Sequence, residues 1–153
     1  MPAAIVVSLV GSALAQAAFS RWLPAPWMMP DFLLLVLAAA ALRMPQRAEM
    51  AAAIGGVLAA ALSASGAVAI GAAYAAAGFL IAAVRRLADL GQPPLQRVVI
   101  GAAEGGLLLA AVAATGAAVT LPLAGWIIVR IAVTLWCWPW VDARAAGWGR
   151  TRA

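Results

Sequence analysis

Histidine and lysine do not occur among the 153 residues, and there is one cysteine. Without histidine there is no imidazole metal ligand, no histidine-based triad and no imidazole proton shuttle. A single thiol, Cys137, excludes an internal disulfide; in its apolar, aromatic run it reads as a small buried hydrophobe. Acids number only five, and no two lie close enough in sequence to suggest a catalytic carboxylate pair. Phosphate-binding glycine loops, metal-ligand spacings and nucleophile elbows are all missing. These absences point to a non-catalytic binding or scaffold subunit, with neither cofactor nor metal expected.

What the chain does contain is apolar surface. Apolar residues make up 67% of it and charged residues 10%, with a mean hydropathy of +1.03. An average soluble domain has roughly 45–50% apolar and about 25% charged residues. A soluble fold of this size could not hide the excess, so it must face lipid. The net charge of +5 does not suggest nucleic-acid binding, because the arginines stand singly or in pairs at the ends of apolar runs and form no basic stripe.

Crossing a hydrocarbon core of about 30 Å takes roughly 20 helical residues. Six candidate segments follow in one membrane domain spanning residues 1–153: about 3–19, 32–42, 48–65, 67–84, 98–119 and 125–141. The first resembles a signal peptide around Ala15-Gln16-Ala17 but has no basic stretch before it, so it reads as a membrane helix. Between the first two, Trp22, Pro24, Pro26 and Trp27 suit an interfacial loop. The second opens at Pro30-Asp31, where proline lacks a donor that would be orphaned anyway and aspartate meets the positive helix end. It is short enough that its spanning the membrane alone is an open question. The third and fourth are mostly alanine and glycine, which favours packing by close backbone approach. A polar loop from Leu87 to Arg97 and a tight turn at Leu121-Pro122 are expected on either side of the fifth. Trp126 lies 14 residues, or roughly 21 Å of helix, from Trp140. With Trp22, Trp27, Trp136 and Trp138, these rings read as interface anchors.

Arginine placement supplies an orientation. Arg43, Arg47, Arg85, Arg86, Arg97, Arg144, Arg150 and Arg152 fall in alternate gaps and the tail, against Arg21 alone on the other side. The positive-inside rule then places both termini in the cytoplasm.

Two charges interrupt apolar runs, Glu104 and Arg130. Such residues are costly in lipid and mark pairing or function. They are expected within about 10 Å of one another in depth, so an ion pair fixing the last two helices is the simpler expectation, with Asp31 as rival partner for Arg130. Gly101-x-x-x-Gly105 is a helix-contact motif, most simply intramolecular.

Pro30-Asp31-Phe32-Leu33-Leu34-Leu35, after a short Trp/Pro loop and before a basic turn, resembles the corresponding stretch of the MreD family of rod shape-determining membrane proteins. The length, six-helix layout and short basic tail are similar too, as is Gly78-Phe79-Leu80; Ser63 and Ser65 stand where family members often carry an aspartate. The resemblance implies a non-enzymatic subunit of the cell-elongation, peptidoglycan-synthesis machinery. Its expected partner is MreC, and wider partners are RodA, its penicillin-binding transpeptidase and MreB. It also implies an all-α membrane bundle like the substrate-binding subunits of energy-coupling-factor transporters. That fold link gives an alternative function, a vitamin- or micronutrient-binding transport subunit, and an assembly factor is a third.

Overall fold

The computed structural model describes residues 3–22, 29–63, 66–88, 90–116 and 118–148. Six α-helices account for most of them: α1 (Ala3–Trp22), α2 (Phe32–Arg43), α3 (Ala48–Leu62), α4 (Ala67–Leu87), α5 (Pro93–Thr115) and α6 (Leu121–Ala145). A 3-10 turn, Pro45–Arg47, joins α2 to α3, and no strand occurs among the described residues. Four helices, α1, α4, α5 and α6, are long and apolar enough to cross a membrane. The chain therefore has the architecture of a multi-pass helical membrane protein.

Local chemistry sets the helix ends. The Asp31 carboxylate accepts the Leu34 N–H at 2.9 Å and so caps α2. Pro45 prevents α2 from continuing. Gly66 and Gly116 adopt left-handed φ values of 65° and 66°, before α4 and after α5, where a side chain would be strained. Prolines move two boundaries away from the sequence expectation. Pro93 and Pro94 occupy the first turn of α5, which therefore begins inside the expected polar loop. Leu121-Pro122 is likewise the first turn of α6, not a tight turn. Proline costs nothing at a first helical turn, because the N–H it lacks has no partner there.

The centre of the bundle is α2, which touches all five other helices. All ten residues from Leu33 to Leu42 are buried. Around it, α1 contributes Ile5, Leu9 and Ala13, spaced four apart on one face. Close packing is concentrated between α3 and α4. A Cβ added to Gly56 would lie 2.7 Å from the Gly71 carbonyl oxygen, and one added to Gly78 would lie 2.7 Å from Ala52 Cβ. Those distances are possible only because the glycines let the two backbones touch. By contrast, α5 and α6 bury only a few residues each and turn most of their apolar surface outward.

Basic residues collect at one end of this bundle. Arg43, from α2, makes a two-pronged pair with Asp142 of α6 at 2.8 and 2.6 Å. Arg86 pairs with Glu49 at 2.7 Å, and Arg85 reaches the Leu42 carbonyl. Arg97 shares a cleft with Arg43 and Arg85. At the opposite end, the Gln16 side chain of α1 accepts the Leu33 N–H at the head of α2.

Candidate functional site: a buried polar joint

The head of α2 lies inside the bundle. A 12-residue helix is roughly 18 Å long, so Asp31 lies about that distance from the Arg43 end, among buried residues. Polar groups buried there must find partners within the protein.

Asp31 finds four. Its backbone N–H donates to Thr134 Oγ1 of α6 at 3.1 Å. One carboxylate oxygen caps α2 through Leu34. The other accepts from the Tyr74 hydroxyl of α4 and from Arg130 Nη2 of α6 at 3.3 Å. The positive end of the α2 dipole favours the same carboxylate. Arg130 also donates from Nε to Glu104 Oε1 of α5 at 2.8 Å. Asp31, Glu104 and Thr134 are at most 1% exposed, and Tyr74 is buried as well. One guanidinium thus bridges two carboxylates, and the joint ties α2, α4, α5 and α6 together.

The structure brings Glu104, Arg130 and Asp31 into one cluster: Arg130 meets both of the partners between which the sequence left a choice. Pro30, half-buried, immediately precedes the cluster. Gly101 and Gly105 flank Glu104 on α5 and face α6, where an added Cβ would lie 3.4 Å or more from Ile131 and Leu135, in ordinary contact. Trp22, Trp136 and Trp140 are well exposed on the outer surface and Trp126 partly so. Trp138 departs from the expected belt. It is 2% exposed, and its indole N–H donates to Gln96 Oε1 of α5 at 3.2 Å. At about 100° per residue, position 138 lies roughly 200° around the helix from both 136 and 140, so a run of alternate tryptophans cannot face lipid throughout. Trp27 and Ser65 lie outside the described residues.

Tyr74 and Thr134 complete the joint, and neither was singled out from the sequence. Tyr74 is the chain's one tyrosine; that uniqueness in an apolar helix is the only signal it gave. The same ring lines a cavity of about 680 Å³ between α1, α2, α3 and α4, shared with Gln16, Ser20 and Ser63. The joint is therefore one hydroxyl away from a partly polar cavity. Among the described residues no group of three or more metal-ligating side chains converges.

Fold and joint together define a multi-pass helical membrane protein organised around a buried ionic cluster. No family model, curated protein or solved structure matches the chain.

Proposed function

We propose that the chain is a non-catalytic scaffold subunit of the bacterial cell-elongation complex, similar to MreD, binding MreC and through it RodA, its transpeptidase and MreB. The observation that carries this reading is the position of the Pro30-Asp31 motif. Asp31 is engaged on every side by the protein's own helices, so the most distinctive residue of the resemblance holds the bundle in shape. A block stiffened this way, with α5 and α6 presenting apolar surface outward, suits a subunit that acts through its faces.

Six crossings of the inner membrane and two cytoplasmic termini belong to the same proposal. The clustering of arginines at one bundle end supports the orientation. Although α2 is short, the non-helical Met29–Asp31 stretch ahead of it is mostly buried by protein, the one setting in which irregular backbone is tolerated at membrane depth.

The cavity beside Tyr74 favours a second reading, a small-molecule-binding transport subunit resembling those of energy-coupling-factor transporters. Its mixed lining of Gln16, Ser20, Ser63 and Tyr74 with apolar side chains is of the kind ligand pockets use. Affinity purification of the tagged protein from a rod-shaped host separates the two. The scaffold reading expects a periplasmic coiled-coil protein of the MreC type to co-purify. Recovery of ATPase subunits, or ligand-dependent thermal stabilisation, would overturn it.

A further inference from the structure

We infer that Glu104 is a proton-binding site: its side chain is held as a neutral carboxylic acid inside the bundle, with the proton on the Oε2 side. The inference is independent of the scaffold reading and starts from the charges in the joint.

Two carboxyl groups face one guanidinium. From the elements packed around α5, the titratable or charged groups that face Glu104 are Tyr74 of α4, Asp31 at the head of α2 and Arg130 of α6. Thr134, also buried there, does not ionise. A neutral phenol adds no compensating charge. With both carboxyls ionised, the cluster would carry an uncompensated negative charge away from water, a costly arrangement that one proton removes. Two carboxyls sharing a site seldom both ionise.

Hydrogen bonding decides which one holds the proton. Both Asp31 oxygens accept from the protein, Oδ1 from the Leu34 N–H and Oδ2 from Tyr74 and Arg130, which leaves neither free to carry a proton outward. Glu104 accepts only at Oε1, from Arg130. Its Oε2 is fully buried and has no hydrogen-bond partner among the described residues. A bare carboxylate oxygen there would lose its hydration with nothing in exchange, whereas an O–H group leaves no charge to solvate. A metal cation is a poorer fit, because the guanidinium already occupies Glu104 Oε1 and Asp31 Oδ2, and no group of three ligating side chains converges among the described residues.

The test uses the whole protein in lipid bilayers. The chain has only two glutamates, Glu49 and Glu104, so glutamate labelled with carbon-13 at the carboxyl gives two signals in solid-state NMR. Glu49 is exposed and paired with Arg86, and it provides the carboxylate reference. The expected spectrum at neutral pH has one signal at the carboxylate position and one at the protonated-acid position. Glu104→Gln should abolish the acid signal, and Glu49→Gln should leave it. Two carboxylate signals in the wild type would overturn the proposal, as would an acid signal that survives Glu104→Gln. If Glu104→Gln does not fold, the wild-type and Glu49→Gln spectra still decide the matter.

Discussion

Arg130 is the residue on which the joint depends most. Arg130→Met keeps the volume and removes the charge, leaving the buried Asp31 carboxylate without its cation. Breaking a fully buried pair from one side costs about 3–5 kcal/mol, and with the Arg130 side chain 21% exposed the loss falls toward the lower end. The expected result is a large loss of thermal stability in detergent, partly recovered by adding Asp31→Asn; an unaltered melting temperature for the single variant would remove Arg130 from the joint. Tyr74→Phe should cost less, about 1.5–3 kcal/mol for one hydrogen bond to a charged acceptor, and leave the fold intact. How legible these residues were follows from their chemistry. Glu104 and Arg130 could be picked out because a charge in an apolar run is expensive and must be explained, and Asp31 as the acid heading the second segment that could compete for Arg130. Tyr74 and Thr134 could not, since one hydroxyl in a membrane helix satisfies itself in many ways. Thr115, for instance, simply bonds the carbonyl three residues back.

At the scale of the helix, glycine is informative only through its neighbours. Gly101-x-x-x-Gly105 matches a recognised contact motif, yet a Cβ at Gly105 would meet nothing closer than Ile131 at 3.7 Å. The tight contacts belong to Gly55, against Leu37, and to Gly56, Gly71 and Gly78 between α3 and α4, which pattern alone could not distinguish from the surrounding alanines. Two substitutions therefore separate motif from contact. Gly105→Ala should be neutral or stabilising, with a helix-propensity gain of up to about 1 kcal/mol. Gly78→Ala should destabilise by about 1–3 kcal/mol through overpacking against Ala52. Chemical denaturation of both in the same detergent checks the ranking, and equal effects would contradict the α3–α4 packing. The short α2 was similarly ambiguous. An all-apolar helix reads the same whether lipid or protein surrounds it, and only the assembled neighbours reveal that α2 is enclosed.

For the whole molecule, the asymmetry of arginine predicts sidedness. In a Cys137→Ser background, cysteines placed at Gln46 and Ala118 lie in exposed connections on opposite sides of the proposed topology. A membrane-impermeant maleimide should label Ala118→Cys in cells whose outer membrane alone is permeable. Gln46→Cys should react only after the inner membrane is opened. The reverse pattern would invert the orientation. Membrane character and helix order were readable because apolar runs and basic breaks are long-range signals that alanine-rich composition does not blur. The enclosure of α2 was not, because it depends on helices distant in sequence.

That enclosure has a consequence for how the protein is made. The ribosome delivers α2 before α4, α5 and α6, three of the helices that later surround it. Until they arrive, a 12-residue segment headed by an aspartate lacks three of the helices that cover it, with α1 and then α3 as the neighbours nearest in the chain. The enclosure of α2 therefore depends on helices that follow it in the chain, and α2 is fully covered only when α4, α5 and α6 pack against it. Arg130, carried on α6, can join Asp31 only after α6 has been made.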